Sequence, residues 1–256
     1  MSNWLETQFS LSNKRAIVTG SSKGIGAAIA IAMAHAGAEV ILQGRSSESL
    51  EKTSTAIETI TGKKVRQILC DISEEAQIRS TFSQIEDEPV DIVVNNAGTI
   101  SRAPAVEANF DDWKKVIDTN LNSVFLISQI CGQKMISQGK GRIINIASLL
   151  SFQGGINVPA YTASKHAVAG LTKALANEWG SKGVTVNAIA PGYISTDNTA
   201  ALRSDPDRNA SILSRIPIGR WGSSEDISAV AVFLASNAAA YINGEVLTVD
   251  GGWMGR

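Results

Sequence analysis

Tyr161 and Lys165 are the residues whose types and spacing point most directly to chemistry. They lie four positions apart behind Pro159, which favours the first turn of a helix, so both side chains project from one helical face. A free tyrosine titrates near ~10, and a neighbouring ammonium moves the pKa toward the range of a general acid or base. The pair is therefore a candidate for proton transfer. The alternative is a solvated lysine that stacks on the tyrosine ring.

Ser148 is a third candidate because it ends an apolar run. Residues 143–147 are predicted to form a buried parallel strand, and the Ser148 hydroxyl then lies at its carboxyl end. Ligands of open α/β sheets bind at that edge.

The elements that position these residues alternate between strand and helix along the chain. The apolar patterns predict strands at 15–19, 39–43, 65–69, 92–94, 143–147, 184–189 and 246–249. They predict helices at 27–36, 48–61, 74–86, 109–137, 160–180 and 226–235. Residues 1–256 contain no linker or repeat, so the pattern indicates one α/β domain.

A glycine-rich turn at residues 19–26 separates the first strand from the first of these helices. Its spacing is G-x-x-x-G-x-G. Glycines let the backbone approach a pyrophosphate closely, and the free N–H groups of a helix start attract its charge. The turn is a candidate dinucleotide-binding site.

The end of the second strand carries Arg45, where dinucleotide-binding folds often place an acid for the ribose hydroxyls. Arg45, with Lys23 from the glycine turn, predicts contact with a 2′-phosphate. The alternative is two solvated loop cations.

Two further strand ends carry polar residues. Asp71 either bonds an adenine amino group or caps the following turn. Asn95 and Asn96 begin the run 95–98, at the point where a cofactor crosses; they either contact that cofactor or brace adjacent strands.

Asn120 interrupts the apolar stripe of the helix predicted at 109–137. Asparagine is a poor helix former there, so we expect it to bond a backbone carbonyl or to distort the helix, which is a way to hold a water.

The longest interruption of the α/β pattern, at about 193–222, is rich in arginine and broken by proline. Such a segment after a strand favours a lid or binding loop, and the alternative is a surface excursion.

The totals narrow the class of partner. The 256 residues carry a net charge of −1 with scattered cations, which gives no reason to expect nucleic acid or a membrane surface. Two cysteines follow neither metal nor disulfide spacing. The prediction is an unexported cytoplasmic protein that binds a small molecule and no metal.

The chain resembles the short-chain dehydrogenase/reductase family over essentially its whole length. The resemblance rests on the motifs at 19–26, 95–98, Asn120, Ser148, Tyr161, Lys165 and Pro191–Gly192. It implies a single Rossmann domain, with a doubly wound seven-stranded parallel sheet flanked by helices on both faces, and a homotetramer.

The same resemblance implies hydride transfer to or from a nicotinamide. Ser148 then holds the substrate carbonyl, Tyr161 passes the proton, and Lys165 lowers the tyrosine pKa and binds the nicotinamide ribose. Asn120 positions a water behind the lysine. The expected cofactor contacts are Gly20, Ser22, Lys23, Gly24, Ile25, Gly26, Arg45, Asp71, Ile72, Asn95, Ala97, Gly98, Tyr161, Lys165, Pro191, Gly192, Ile194 and Thr196.

A narrower likeness, in segments such as 146–155 and 190–199, is to the sugar-acid dehydrogenases of that family. They are mostly NAD-linked, whereas Arg45 and Lys23 favour NADP(H), so NAD(H) stays the alternative. The predicted substrate is a small acyclic keto sugar acid of uronate breakdown. Its expected contacts are Ser148, Gln153, Tyr161, Arg102, Tyr193 and Arg203. For each arginine the alternative is a solvated or lid-holding role.

Two alternative functions stay open. One is a reductase of gluconate-type keto acids or 3-oxoacyl thioesters, and the other is a catalytically silent nucleotide-binding protein that senses redox state. The presence of all four expected catalytic residues counts against the sensor.

Overall fold

The computed structural model describes residues 3–85 and 88–256. The helix predicted at 74–86 is present, but its expected last residue, Glu86, lies outside those ranges, as do residues 1 and 2.

One parallel sheet organises the described chain. Its strands are β1 (Arg15–Val18), β2 (Glu39–Gly44), β3 (Arg66–Leu69), β4 (Ile92–Asn95), β5 (Gly141–Ile146), β6 (Val184–Pro191) and β7 (Val246–Val249). Their order across the sheet is β3-β2-β1-β4-β5-β6-β7, and all neighbouring pairs are parallel. The predicted seven-stranded doubly wound sheet is confirmed.

Helices cover both faces of this sheet. They are α1 (Trp4–Phe9), α2 (Gly24–His35), α3 (Ser47–Thr61), α4 (Glu75–Ser83), α5 (Phe110–Ile117), α6 (Ser123–Gln138), α7 (Pro159–Trp179), α8 (Ala200–Ser204), α9 (Pro206–Leu213) and α10 (Ser224–Ala235). None of the helices in the described ranges is long and apolar enough to cross a bilayer.

Successive residues of each strand face opposite layers of the core. In β1, Ala16 and Val18 pack with α2, α3 and α10, whereas Ile17 packs with α4, α6 and α7. Both faces are therefore buried, which explains the unbroken apolar runs of the strands. Each fully buried isoleucine or leucine contributes roughly 1.5–3 kcal/mol to folding.

The strand order reverses between β1 and β4. The chain runs outward from β1 to β3 in one direction and from β4 to β7 in the other. Connections diverge at such a point and leave a crevice beyond the carboxyl ends of the strands. The glycine turn after β1 and the 95–98 run after β4 border that crevice.

The helix predicted at 109–137 is divided in the structure. A π-helical turn, Asp118–Asn122, separates α5 from α6 and contains Asn120. The expected distortion at Asn120 is therefore present.

The segment at 193–222 leaves the sheet and returns to it. It holds the short helices α8 and α9, and its two ends meet where Ile194 bridges Gly222. Pro206 is the first residue of α9, and the Asp205 carboxylate caps it by accepting from the Asp207 and Arg208 amides. We refer to residues 193–222 as the lid segment.

Candidate active site

The glycine turn packs tightly against the end of β4. Gly20 has φ +61°, and a Cβ there would lie 2.8 Å from the Ala97 Cα. A Cβ on Gly26 would lie 2.3 Å from both the Asn96 side-chain nitrogen, Nδ2, and the Gly20 carbonyl oxygen. Larger residues would push the turn out of place.

The start of α2 has no side-chain cap, because its N-cap residue is Lys23. Its first N–H groups therefore remain available to an anion, as a pyrophosphate requires. The turn and this uncapped helix start fit a dinucleotide cofactor.

Asn95 and Asn96 serve different contacts. The buried Asn95 amide donates to Ser128 Oγ (3.0 Å) and to Asn145 Oδ1 (2.9 Å). Asn96 donates to the carbonyls of Thr19 (2.9 Å) and Gly20 (3.2 Å). These contacts favour the bracing alternative for both asparagines over side-chain contact with a cofactor.

Asn120 connects three elements from the π turn. Its Oδ1 accepts from the Thr99 amide (2.8 Å), and its Nδ2 donates to the Thr99 carbonyl (2.9 Å) and to Ser164 Oγ (3.2 Å). Ser164 in turn donates to the Tyr161 carbonyl (2.7 Å). Asn120 thus lies in a distorted part of the helix and also bonds a backbone carbonyl, that of Thr99 outside the helix. Both of the expected alternatives are present.

Ser148 and Tyr161 meet at the carboxyl end of β5. Ser148 follows β5 and accepts from the Leu150 amide (3.1 Å), while Tyr161 lies in the first turn of α7. Burial raises the pKa of the Tyr161 phenol, while a hydrogen bond with Ser148 and the charge of Arg102 act in the opposite direction.

Lys165 lies beneath Tyr161 with only 4% of its surface exposed. Its Nζ donates to the Ile146 carbonyl at 2.6 Å and lies 5.6 Å from the centroid of the Tyr161 ring. Burial lowers the pKa of Lys165 to about 8. The expectation that Lys165 lowers the tyrosine pKa stays a prediction. The Lys165 amine is directed to the Ile146 carbonyl at the strand end, and the charge of Arg102 acts on the phenol.

The lid segment contacts both walls of the crevice. Lys23 forms an ion pair with Asp197 at 2.7 Å, and Arg102 donates to the Asn198 carbonyl at 3.2 Å. Arg203 donates to the Thr196 carbonyl at 3.1 Å. These contacts support the lid-holding alternative for both arginines, and the charge of Arg102 also acts on the Tyr161 phenol.

An aromatic cluster joins the two ends of the lid segment to the C-terminal Trp253. Tyr193 contacts Trp221 edge-to-face at 5.5 Å between ring centroids and lies 4.7 Å from the ring of Trp253. The Trp253 indole donates to Gln153 Oε1 at 3.2 Å. An indole N–H can only donate, so this bond orients the Gln153 amide with its nitrogen turned away from Trp253.

Comparisons with known proteins decide the family. The sequence profile of a family described as enoyl-(acyl carrier protein) reductase matches residues 20–254. The 2-dehydro-3-deoxy-D-gluconate 5-dehydrogenase of Bacillus subtilis (strain 168) is 52% identical over 254 residues, which cover 99% of each chain. The chain belongs to the short-chain dehydrogenase/reductase family. It is an NAD(P)-dependent oxidoreductase.

Solved structures of this family share its fold. An Agrobacterium tumefaciens protein described as a 2-deoxy-D-gluconate 3-dehydrogenase, with bound NADP, is 50% identical with a TM-score of 0.92, over 97% of this chain and 99% of that one. The gluconate 5-dehydrogenase of Burkholderia cenocepacia J2315, in complex with NADP and tartrate, is 36% identical with a TM-score of 0.93, over 98% and 99%.

Several short-chain dehydrogenase/reductase positions predicted to contact a cofactor border the crevice. Pro191 ends β6, and Gly192 lies so close to Asp250 that a Cβ would be 2.6 Å from the Asp250 Cα. Thr196 lies opposite Gly24, where a Cβ would be 3.6 Å from the Thr196 methyl group. Ile25 lies in the glycine turn, and Gly98 is the last residue of the 95–98 run at the end of β4.

Two of the predicted cofactor contacts, Asp71 and Ile72, also make contacts within the fold. Asp71 Oδ1 accepts from the Ser73 amide (2.9 Å) and hydroxyl (2.7 Å). Burial opposes its charge, but these bonds and the charges of Arg45 and Lys115 hold the pKa of Asp71 below its usual range. The contacts favour the capping alternative. Ile72 is buried in the core between the sheet and α4.

Three residues of the site were missed by sequence reasoning. Gln43 Oε1 accepts from the Gly20 amide (3.1 Å), and its Nε2 donates to the Cys70 carbonyl (2.9 Å). Ser151 donates to the Lys165 carbonyl (2.7 Å), and Ser164 links Asn120 to Tyr161. The signal for Gln43 was available, because it is a polar residue at the end of an apolar strand.

Proposed function

We propose that this enzyme transfers a hydride between NADP(H) and a keto or hydroxyl group of a small acyclic sugar acid. Its activity is that of a 2-dehydro-3-deoxy-D-gluconate 5-dehydrogenase or a 4-deoxy-5-hexoseulose uronate reductase. The observation that carries this proposal is the hydrogen bond between Ser148 and Tyr161, with Lys165 beneath the tyrosine, in the crevice at the carboxyl ends of the strands. The chain is also 52% identical to a relative of that name.

Tyr161 is the general acid or base in this proposal. Its hydrogen bond with Ser148 and the nearby charge of Arg102 stabilise the phenolate against the effect of burial. In this proposal Ser148 donates to the substrate carbonyl oxygen beside the phenol. The bound nicotinamide supplies or accepts the hydride.

Lys165 and Asn120 support the pair from below. The depressed pKa of Lys165, about 8, lets its amine exchange a proton near neutral pH. The Asn120 side chain is held by hydrogen bonds with Thr99 and Ser164 and lies in the π turn. We propose that it positions a water behind Lys165, which relays the proton.

Arg45 supports NADP(H) over NAD(H). It is exposed directly after β2, where it is close enough to Asp71 to influence that carboxyl. A guanidinium at this position suits a 2′-phosphate through charge-assisted hydrogen bonds. The NADP bound to the Agrobacterium relative agrees with this reading.

Arg102 and Gln153 support an acidic, hydroxylated substrate. The charge of Arg102 reaches the Tyr161 phenol, so a substrate carboxylate bound there would lie close to the reacting atoms. Trp253 holds the Gln153 amide with its nitrogen turned away from the indole, and we propose that this nitrogen donates to a carboxylate or hydroxyl oxygen of the substrate. Tyr193 packs against Trp253 in the same wall. The tartrate of the Burkholderia relative is likewise a hydroxy acid.

We further propose a cytoplasmic homotetramer. Phe110 and Phe125 expose 70% and 46% of their surface on α5 and α6, and these helices would pair with a second copy. Cys70 and Cys131 are buried thiols, as in a reducing compartment.

A substrate panel tests the proposed function. We expect kcat/KM with NADPH to be highest for keto-deoxy uronates, lower for 5-ketogluconate and lowest for an acetoacetyl thioester. A thioester preference would overturn the sugar-acid proposal. A 5-ketogluconate preference would favour the gluconate 5-dehydrogenase activity of the Burkholderia relative. Arg102→Ala should raise KM for the sugar acid more than KM for NADPH.

A further inference from the structure

Lys23 of the glycine turn forms an ion pair with Asp197 of the lid segment. We propose that Lys23 alternates between Asp197 of the lid segment and the 2′-phosphate of the cofactor, so that Asp197 reduces the preference of the enzyme for NADPH over NADH. This inference rests on the NADP(H) proposal above and adds Asp197 as a residue that sets cofactor selectivity.

The first position is the observed ion pair. Lys23 Nζ lies 2.7 Å from Asp197 Oδ2, and the two residues are 174 positions apart in the chain. The lysine is the largest cause of the lowered pKa of the Asp197 carboxyl, and the charge of Arg203 adds to it. The pair joins the glycine turn to the lid segment.

The backbone around the pair shows that it spans the crevice. Gly24, next to Lys23, has a positive φ of +56°, and a Cβ there would lie 3.6 Å from Thr196. Asp197 follows Thr196 directly. The two backbones therefore approach each other at the mouth of the glycine turn, and the ion pair lies over this approach.

The second position lies toward α3. Ser22, which precedes Lys23, accepts at its carbonyl from Thr53 of α3 (3.4 Å). Helix α3 begins two residues after Arg45, the candidate 2′-phosphate ligand. The backbone next to Lys23 is thus held to the helix that follows Arg45 on one side and faces Thr196 on the other, and we infer that the flexible lysine side chain reaches both sides.

Exposure permits the exchange. The side chains of Lys23 and Asp197 expose 72% and 75% of their surface, so water screens their attraction and the contact is easily broken. A 2′-phosphate carries more charge than a carboxylate and competes well for the ammonium. NADH has no such group and gains nothing from the exchange. Asp197 therefore opposes the binding of NADPH but not that of NADH.

The test measures cofactor dissociation constants without substrate, by quenching of tryptophan fluorescence. In Asp197→Asn the Kd for NADPH should fall about fivefold and that for NADH should change less than about twofold, the scale of an exposed ion pair. In the Lys23→Met background the same substitution should change neither constant. Asp207→Asn, which removes an exposed carboxylate elsewhere on the lid segment, is the matched control and should behave as wild type.

Two results would overturn the inference. One is an unchanged ratio of the NADPH and NADH constants in Asp197→Asn. The other is a gain in NADPH affinity that persists in Lys23→Met, since the carboxylate would then act without the lysine. Neither result depends on which sugar acid is the substrate, so failure here is separate from failure in the substrate panel.

Discussion

At the residue scale, the burial of Lys165 supports its proposed function but lowers the stability of the folded protein. Burial lowers the pKa of Lys165 from 10.5 to about 8, and within the described chain its amine donates to the backbone carbonyl of Ile146. Holding the charged form inside the fold at neutral pH costs on the order of 3 kcal/mol. Strain of this kind is common at functional sites.

The pH dependence of this cost has a definite sign. The unfolded lysine keeps its ordinary pKa, so between pH 8 and pH 10.5 the unfolded chain binds a proton that the folded chain has released. The contribution of Lys165 to stability is therefore lowest below pH 8 and rises through this window.

We predict that Lys165→Met is more stable than wild type at pH 7 and that the difference shrinks between pH 8 and pH 10.5. Urea unfolding at a series of pH values measures it. Lys173→Met, at an exposed position of the same helix, is the control and should change stability little. A difference for Lys165→Met that does not vary with pH would contradict the assignment.

At the element scale, the π turn between α5 and α6 holds the loop after β4 in place. Three hydrogen bonds from the buried Asn120 side chain join this turn to Thr99 and to Ser164. Single π turns within α-helices are frequent at functional sites.

Asn120→Ala should lower the free energy of unfolding by about 2 kcal/mol, because it leaves the Thr99 amide and carbonyl unpaired. It should also lower kcat, since the proposed relay position is lost. Thermal unfolding and steady-state kinetics measure the two effects. Asn122→Ala in the same turn is the matched control, because the Asn122 side-chain amide donates to the exposed side of the turn, at Asp118. Equal stability of the two variants would show that Asn120 does not hold the turn.

Local patterns predicted these elements well, because a strand or helix depends on residues close in sequence. The apolar runs predicted all seven strands, and the apolar stripe around Asn120 predicted its distorted helix. Pairings between distant residues left no local signal. The Lys23–Asp197 ion pair and the Trp253–Gln153 hydrogen bond each depend on the lid segment or the chain end folding back over the crevice.

At the scale of the whole molecule, the reversed strand order brings the ends of β1, β4, β5 and β6 to one crevice. The glycine turn, the 95–98 run, Ser148 and Pro191–Gly192 lie at those four ends. A site assembled from so many strand ends depends on the whole sheet, so we expect it to form only when the chain has folded.

The proposed tetramer is tested by Phe125→Glu on α6. A charge at this 46% exposed aromatic position should split an interface formed by α6 and reduce the sedimentation coefficient at micromolar concentration. Leu69→Glu, at a 43% exposed position on β3, is the control for a new surface charge. A wild-type monomer, or a Phe125→Glu variant that stays fully assembled, would remove α6 from the interface.

The central claim is that the Tyr161 hydroxyl transfers the proton during reduction of a keto sugar acid. The most direct measurement compares wild type and Tyr161→Phe for turnover of a keto-deoxy uronate with NADPH, and for NADPH binding without substrate. Tyr161→Phe keeps the ring and removes the hydroxyl, so kcat should fall roughly 10²–10⁴-fold while the Kd for NADPH stays close to wild type. Tyr241→Phe, at a fully exposed tyrosine, should retain wild-type turnover. A Tyr161→Phe enzyme that retains most of its turnover would contradict the account.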